Sequence, residues 1–296
     1  MADDLVKELT QMRCVVSVSV HREASVQPPG DIVGVEALNR GADAVLVAIE
    51  RAYPHGSLSV TSSQVDSLSD RDHAGDVAGD SDESTWEDAI TALRHHAQVT
   101  VNFVTLMALG AVVAACALFS SSTTQAIALV AAAVIAPAFE PLAKVGLGLV
   151  LRRRGELLRG LQSAVVGYLV LVGAGAVTML VMRVAATDLP DRFLTNRQVL
   201  ELADPTTVAL IISACGAVAG ALMITAHRVA LLAGPLIALQ LIPAAVMAGM
   251  ALADGDGDLA AQGLARLGVD AGMVIAATLL IFGAKRLTIH RRQPLV

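Results

Sequence analysis

The sequence predicts an α-helical polytopic membrane protein, with six transmembrane helices as a 3+3 inverted repeat and a small N-terminal α+β cytoplasmic domain. Three observations support this fold class. Hydrophobic residues make up 55% of the 296 residues, and the mean hydropathy is +0.64, which is too apolar for an ordinary soluble domain. Residues 1–97 carry 17 acidic and 7 basic side chains, whereas residues 98–296 carry 10 acidic and 14 basic ones. The second, apolar part also contains an internal repeat.

Residues 1–68 are predicted to form the α+β domain. Residues 12–20 alternate in polarity and are rich in β-branched side chains, which favours a strand, and residues 31–37 are a second candidate strand. Apolar residues recur at helical spacing over residues 38–53, and residues 56–68 are a third candidate strand. A domain of this β–β–α–β order is short, so we expect it to need docking or oligomerisation for stability.

A polar and acidic segment, residues 69–84, is predicted to be a flexible linker. Ser84 and Glu87 then fit a capping box, in which both side chains satisfy free backbone N–H groups at the start of a helix. That helix leads into the transmembrane domain, which we assign to residues 85–296. Residues 1–11 lack the basic and apolar regions of a signal peptide, so the first span is expected to direct insertion.

Six segments are long and apolar enough to cross a bilayer, which takes about 20 residues of helix. They are approximately residues 98–119, 124–150, 161–183, 206–225, 229–252 and 267–284. With the N-terminus inside, the inner connections at 152–159 and 227–228 and the tail at 285–292 are basic, whereas the outer connections are acidic or neutral. Because positive charges concentrate on the cytoplasmic side, both termini are predicted to be cytoplasmic.

A shift of 106 residues superimposes the two halves of the membrane part. The shift places residues 110–115 on 216–221, Pro137 on Pro243, and the start of the third span on the start of the sixth. Each unit has three spans, so the second unit must enter the membrane in the opposite sense. Inverted repeats of this kind place a substrate site near the bilayer midplane in many transporters.

Prolines interrupt the second and the fifth predicted spans. Proline removes a backbone donor, and in hydrocarbon the freed groups must be satisfied by neighbouring helices, polar side chains or water. Paired breaks therefore indicate a cavity, although proline kinks also occur in membrane helices that only pack together. The residues expected to line or shape a transport path are Pro137, Glu140, Pro141, Lys144, Pro235, Gln240 and Pro243.

The charges of Glu140 and Lys144 leave three alternatives. Four residues apart on a helix, they could form a buried structural ion pair. They could instead line an ion or proton path in which Glu140 titrates. In the third alternative, the helix ends near Pro141 and Lys144 extends to the inner surface with Arg152. Asp270 lies near the outer end of the sixth predicted span, where a capping role would suffice.

Other site chemistries have little support in the sequence. The three cysteines, Cys14, Cys116 and Cys215, are scattered and lack zinc-binding spacing, so we expect reduced thiols and neither a metal site nor a disulfide framework. No G-x-S-x-G, H-E-x-x-H or Walker motif is present, so we predict neither an enzyme nor a cofactor. The acidic N-terminal part argues against a nucleic-acid partner.

Several stretches carry a resemblance to a known family. They are "VNFVTLMALGAVVAACALF", "AIALVAAAVIAPAFEPLAKVGLGLVLRRR", "DPTTVALIISACGAVAGAL", "LLAGPLIALQLIPAAVMAGMAL" and, before the membrane part, "PPGDIVGVEALNRGADAVLVAIE" and "GSLSVTSSQVDSLSD". On these stretches the chain resembles the bacterial domain-of-unknown-function 389 proteins, or uncharacterised hydrophobic domain proteins, particularly the actinobacterial type. The most specific element is the P-x-F-x-P core formed by Pro137, Phe139 and Pro141. Members often carry "GPEFGPL" where this sequence has "APAFEPL". The resemblance implies a location in the bacterial inner (cytoplasmic) membrane.

The function expected from these features is that of a channel or secondary transporter for an ion or small solute. The cytoplasmic domain would then sense a ligand or assemble an oligomer. Small residues at helical spacing, such as Gly216 and Gly220, favour close helix packing and a homo-oligomer. The alternative is a non-transporting membrane scaffold or sensor, and an intramembrane enzyme comes third. Expected partners are membrane lipid, further copies of the chain and an unidentified small solute or ion.

Overall fold

The computed structural model of the chain describes residues 2–53, 58–63, 70–120, 123–185, 189–226 and 233–294, without the side chains of residues 2, 123, 189–191 and 233–240. Contacts between Cα atoms divide the chain into two compact units. We call them the mixed unit, residues 1–89, 225–227 and 289–296, and the helical unit, residues 90–224 and 228–288. The predicted domain boundaries at residues 68 and 84 stay predictions.

The sheet of the mixed unit is an antiparallel hairpin of strands β1 (Val15–Val26) and β2 (Pro29–Ala37). These strands overlap the first two predicted strands, which are confirmed. Of the third predicted strand, residues 56–68, only residues 58–63 are described, and they have no regular secondary structure. The other residues of that prediction lie outside the described part of the chain.

Two helices pack with this hairpin: α1 (Ala2–Thr10) and α2 (Ala42–Ala52). Helix α2 lies within the predicted helix, whereas α1 was not predicted. Its signal was the spacing of Leu5 and Leu9, which places both side chains on one face of a helix. The buried apolar core of the mixed unit contains Leu5, Leu9, Val15, Val45 and Ala48.

The segment predicted to be a linker, residues 69–84, contains a short helix, α3 (Ala74–Ala78). The carboxylate of Asp80 accepts hydrogen bonds from the backbone N–H groups of Asn39, at 2.7 Å, and Arg40, at 3.1 Å. These bonds hold the segment around Asp80 against residues 39 and 40, which directly precede α2.

The C-terminal tail joins the mixed unit through a cluster that we call the tail clasp. Arg292 donates to Asp43 at 2.6 Å and to Glu87 at 2.7 Å, and only 8% of its side chain is exposed. His290 Nδ1 lies 2.7 Å from the Asp43 carboxylate. Trp86 Nε1 donates to the His290 carbonyl at 3.1 Å. The buried side chains of His290 and Arg292 thereby anchor residues 289–294.

The remaining helices belong wholly or largely to the helical unit. They are α4 (Trp86–His96), α5 (Val101–Leu118), α6 (Thr123–Ile135), α7 (Glu140–Val150), α8 (Arg154–Ala185), α9 (Leu189–Leu194), α10 (Arg197–Ala203), α11 (Thr207–Thr225), α12 (Ala233–Asp254) and α13 (Gly257–Thr288).

Four helices are long and apolar enough to cross a membrane: α5, α8, α11 and α13. Helices α6 and α7 pass the same test as a pair bent by 46°, which gives up to five spans among the described residues. Leu169, Ile211 and Leu280 are each more than half exposed on such helices, as expected of side chains that face lipid. The chain is therefore a multi-pass membrane protein. The fifth predicted span comprises most of α12 and residues outside the described part of the chain, so the number of six spans stays a prediction.

Helix α12 forms the centre of the bundle. Residues 241–250 are all buried, and α12 packs against α5, α6, α8 and α13. A helix that is apolar on every face belongs in an interior of this kind. Small side chains make the close contacts possible, because Gly249 lies directly against the backbone of Val172 in α8.

Helices α7 and α8 pack together in the same way as α12 and α13. A Cβ added at Gly160 of α8 would lie 2.9 Å from the backbone N of Val145, and one at Gly263 of α13 would lie 3.0 Å from that of Ala248. The residue numbers in the two contacts differ by 103. Helices α8 and α13 also have 32 residues each and begin 103 residues apart.

The helix ends repeat the same relationship. Arg286 of α13 donates to the carbonyl of Val150 at the end of α7, and Arg183 of α8 donates to the carbonyl of Ala253, at 3.1 Å, near the end of α12. The carboxyl ends of α7 and α13 therefore meet at one end of the bundle. Since α8 starts there and α13 finishes there, the two long helices run in opposite directions.

These contacts change the register that the sequence predicted. A shift of 106 residues fits the starts of α5 and α11, but the contacts of the later helices match at 103. The second half therefore has three fewer residues between the starts of α11 and α13 than the first half has between the starts of α5 and α8. In the first half, residues 136–139 separate α6 from α7, whereas α12 continues through Pro243. The predicted break at Pro243 is wrong, because α12 is a continuous helix there and lacks the extra residues that separate α6 from α7.

Replacement of Gly249 tests the central packing. Gly249→Ala should destabilise the protein by about 1–3 kcal/mol, because the added Cβ meets the Val172 backbone. Gly272→Ala on α13 is the matched control, since a Cβ there meets nothing within 4 Å. Thermal unfolding in detergent micelles, followed by circular dichroism, measures both. Equal stability of the two variants would contradict the packing.

Acid titration tests the tail clasp. Burial alone would raise the pKa of Asp43, but the hydrogen bond from His290 and the charge of Arg292 outweigh it, so the pKa is lowered. A lowered folded-state pKa gives stability that is present above the unfolded value, about 3.9, and is lost as the pH falls through the folded value. Emission from Trp86, the single tryptophan, should therefore shift to the red in this acidic range.

Two substitutions complete the test of the clasp. Arg292→Ala should expose Trp86 already at neutral pH, because Asp43 and Glu87 lose their shared cation. Gln293→Ala, at the neighbouring exposed position, should leave the emission as in the wild type. If the emission shifts to the red neither in acid nor in Arg292→Ala, the clasp does not hold the tail.

Candidate functional site

The break between α6 and α7 is the centre of the candidate site. Helix α6 ends at Ile135 and α7 begins at Glu140, at an angle of 46°. Pro137 lies in the break, and Pro141 lies in the first turn of α7, where a missing N–H costs little. The segment predicted to be the second span is thus bent in the structure, and both predicted prolines lie at the bend.

A tyrosine from α8 satisfies a backbone group that the break exposes. The hydroxyl of Tyr168 donates a hydrogen bond to the carbonyl of Ala138 at 2.9 Å. Such carbonyls need a partner in a membrane, because hydrocarbon offers none. Sequence reasoning missed Tyr168, although a tyrosine inside an apolar span is a recognisable signal for a buried hydroxyl.

Glu140 is the first residue of α7, and its side chain lies at the break. Its Oε2 atom is buried and has no hydrogen-bond partner in the described part of the chain. The carboxylates of Glu140 and Asp270 both act electrostatically on the Tyr168 hydroxyl. Glu140, Tyr168 and Asp270 therefore bring polar atoms from α7, α8 and α13 to one region.

Lys144 pairs with Glu156 rather than with Glu140. The Lys144 Nζ atom lies 3.5 Å from Glu156 Oε2, and only 2% of the lysine side chain is exposed. Three alternatives were open for the charges of Glu140 and Lys144. The structure most resembles the third, because Lys144 extends toward the connection at 152–159. Its partner there is an acid on α8, not the inner surface beside Arg152.

The carboxylate of Glu156 balances several cations. Arg94 lies 3.4 Å and Arg159 lies 3.6 Å from its Oε1 atom, in addition to Lys144 at Oε2. Glu156 is in the first turn of α8, where the positive end of the helix dipole also favours a carboxylate. This cluster joins α4, α7 and α8 at one end of the bundle.

A second buried ion pair lies within α13 and is joined to α11 by a hydrogen bond to Ser213. Arg266 Nε donates to Asp270 Oδ2 at 2.7 Å, and Arg266 Nη2 donates to Ser213 Oγ at 2.9 Å. The side chains of Arg266 and Asp270 are 1% and 2% exposed. Asp270 is therefore an internal ion-pair partner rather than a cap. Arg266 was missed because the sixth span was predicted to start one residue after it.

The polar groups lie near the middle of the long helices. Tyr168 is the fifteenth of the 32 residues of α8, and Asp270 is the fourteenth of the 32 residues of α13. At 1.5 Å per residue each helix is about 48 Å long, so both side chains lie far from either end. The break at Ala138 is at the same depth as Tyr168, which it contacts.

The remaining predicted site residues belong to α12. Pro235 is its third residue, where a proline is compatible with an unbroken helix. The side chains of Pro235 and Gln240 lie outside the described residues. Pro243 is buried within the helix. Whether the two proline regions form one site stays a prediction.

Residues 133–276 match the family model described as Domain of unknown function (DUF389). The chain carries a DUF389 domain. The domain runs from α6 into α13 and contains the break, Tyr168, Arg266 and Asp270. The resemblance in the sequence is thus confirmed over these residues. No curated protein and no solved structure matches the chain.

Charge removal tests the Glu156 cluster in the DUF389 domain. Glu156→Gln should destabilise the protein by about 3–5 kcal/mol, because it leaves the buried Lys144 without an anion. Lys144→Met should cost less, since Glu156 keeps Arg94 and Arg159 as partners. The combined variant should be more stable than Glu156→Gln alone. Unfolding in detergent gives the three values, and simple additivity would contradict the pairing.

Proposed function

We propose that the protein is a channel or secondary transporter for an ion or small solute, with a path through the region of the α6/α7 break. The observation that carries the proposal is a bent helix pair with the carboxylate of Glu140 at the bend, whose buried Oε2 atom has no hydrogen-bond partner among the described residues. Ionisable groups inside a membrane domain are costly and usually face an interior or a water-filled cavity. A protein that only needed to pack would gain from an apolar residue here.

The matching helix pairs support the same proposal. Helices α7 and α8 and helices α12 and α13 make matching contacts at a constant shift of 103 residues, with opposite directions in the bundle. Together with α5 and α11, they fit a six-span protein of two inverted three-span units. Transport proteins built in this way bind their substrates between the units near the midplane, and Tyr168 and Asp270 lie near the middle of their helices.

The orientation that we propose has both termini in the cytoplasm of a bacterium. Support comes from the basic connections, since Arg286 near the C-terminus contacts the end of α7 directly before the 152–159 connection. We further propose that the mixed unit regulates the path or assembles a homo-oligomer. The tail clasp supports a regulatory role, because it ties the segment that follows α13 to the mixed unit.

A membrane scaffold or sensor is the second candidate function. The complete burial of residues 241–250 favours it, because a tightly packed central helix suits a domain that anchors rather than conducts. In that case the mixed unit would carry the activity. A flux measurement separates the two functions.

Flux through proteoliposomes tests the transport function. Purified protein in vesicles of phosphatidylethanolamine and phosphatidylglycerol should carry K⁺, Na⁺, Cl⁻ or protons faster than empty vesicles. The double variant Pro137→Ala and Pro141→Ala should lower that rate about tenfold, roughly 1.4 kcal/mol on the barrier, because the break loses the residues that shape it.

The control for the flux measurement is Leu169→Ala. Leu169 follows Tyr168 on α8, but it is 66% exposed on the outer face of the bundle. Its replacement should leave the rate unchanged. Rates equal to those of empty vesicles for all four ions would refute transport of these ions and favour the scaffold.

A further inference from the structure

We infer that Glu140 is a proton-binding site, and that the proton is the ion that the path binds at mid-depth. The inference rests on the proposed transport function for its physiological meaning, but the site itself stands on the geometry around the break. Glu140 would alternate between an ionised and a protonated carboxyl group, with no other covalent change.

The nearby cationic side chains are already paired with other carboxylates, which leaves Glu140 without a cation. Arg266 is engaged by Asp270 at 2.7 Å, and Lys144 is engaged by Glu156 at 3.5 Å. Among the described residues, no cationic side chain pairs with Glu140, and its Oε2 atom has no hydrogen bond. A charged carboxylate in this position has the backbone N–H groups of Phe139 and Glu140 beside it but no cation, so a bound cation or a proton would neutralise it.

The surroundings favour a proton over a metal ion. Hard cations such as Ca²⁺ and Mg²⁺ take about six or more oxygen ligands. The described residues contain no group of three or more His, Cys, Asp or Glu side chains that could hold a metal. The nearby Ala138 carbonyl already accepts the Tyr168 hydroxyl. One proton needs only the free carboxylate oxygen.

Both protonation states have physical support at this position. Burial without a partner disfavours the ionised form. Glu140 is also the first residue of an 11-residue helix, and the positive end of the helix dipole favours the ionised form. Opposing effects of this kind suit a group that changes state during a cycle rather than one that is fixed in either form.

The other titratable groups around Glu140 can be named. Helices α8 and α13 pack against α7. Tyr168 contributes a neutral hydroxyl from α8, and Asp270 contributes a second carboxylate from α13 that is held by Arg266. On α7 itself, Lys144 is one turn away and directed to Glu156.

Infrared difference spectroscopy on the reconstituted full chain tests the site without requiring transport. Lowering the pH should produce the C=O stretching bands of protonated carboxyl groups, one of which belongs to Glu140. Glu140→Gln, which keeps the shape and removes the proton site, should remove that band. Glu201→Gln is the control, because Glu201 is an exposed carboxylate on α10 that pairs with Arg197, and it should leave the band in place.

Two results would overturn the proton site. One is a band that persists in Glu140→Gln. The other is a band that responds to NaCl at constant pH instead of to pH, which would identify a metal-cation site. Circular dichroism of Glu140→Gln should match that of the wild type, and Glu140→Asp, which keeps the titratable group, should retain a pH-dependent band. Loss of the band in both variants would show that the band reports folding and not Glu140.

Proton flux separates this inference from the proposed function. With a pH-sensitive dye inside the vesicles, Glu140→Gln should lower an acid-driven proton flux about tenfold or more, while Leu169→Ala leaves it unchanged. A Glu140-dependent band without flux would refute proton transport and keep the binding site. Flux of another ion without the band would refute the binding site and keep transport.

Discussion

The helical unit depends on how it satisfies the backbone at a helix end buried in the middle of the bundle. At the α6/α7 break, the carbonyl of Ala138 has no helical partner and receives the Tyr168 hydroxyl instead. Hydrocarbon supplies no hydrogen bonds, so the break exists only because α8 presents a donor at this depth. That requirement fixes the position of α8 along α7, and glycines such as Gly160 then let the two helices touch.

Three extra residues explain why one half of the domain bends and the other does not. Residues 136–139 interrupt the second span, and at a shift of 103 the first residue of α7, Glu140, corresponds to Pro243 inside the continuous α12. Proline alone did not break α12, which stays helical through Pro243 and is buried on every side over residues 241–250. The bend therefore follows from chain length between packed helices, and the prolines accommodate it rather than cause it.

Composition and periodicity were sufficient for the hairpin of the mixed unit, for four of the spans and for the break near Pro137. They were insufficient for the partners, because a partner depends on which helices meet. Lys144 had a carboxylate four residues earlier, yet it pairs with Glu156 across a helix contact. Arg266 was excluded by a span boundary that was set from hydropathy, although its spacing from Asp270 suits an i,i+4 pair. Tyr168 gave no charge signal at all.

The polar groups at mid-depth do not follow the repeat, and this asymmetry bears on function. At a shift of 103, Asp270 corresponds to Gly167 and Arg266 to Ser163, so the other half has no counterpart of this ion pair. The carboxylate of Glu140 has no counterpart either, since it corresponds to Pro243. A repeated scaffold provides two similar helix pairs of opposite direction, while single side chains at unlike positions supply the chemistry between them. If ionisable groups served packing alone, equivalent contacts in the two halves would be expected to carry equivalent groups. Their presence in one half, beside the bent helix pair α6 and α7, points to a role that the scaffold itself does not require.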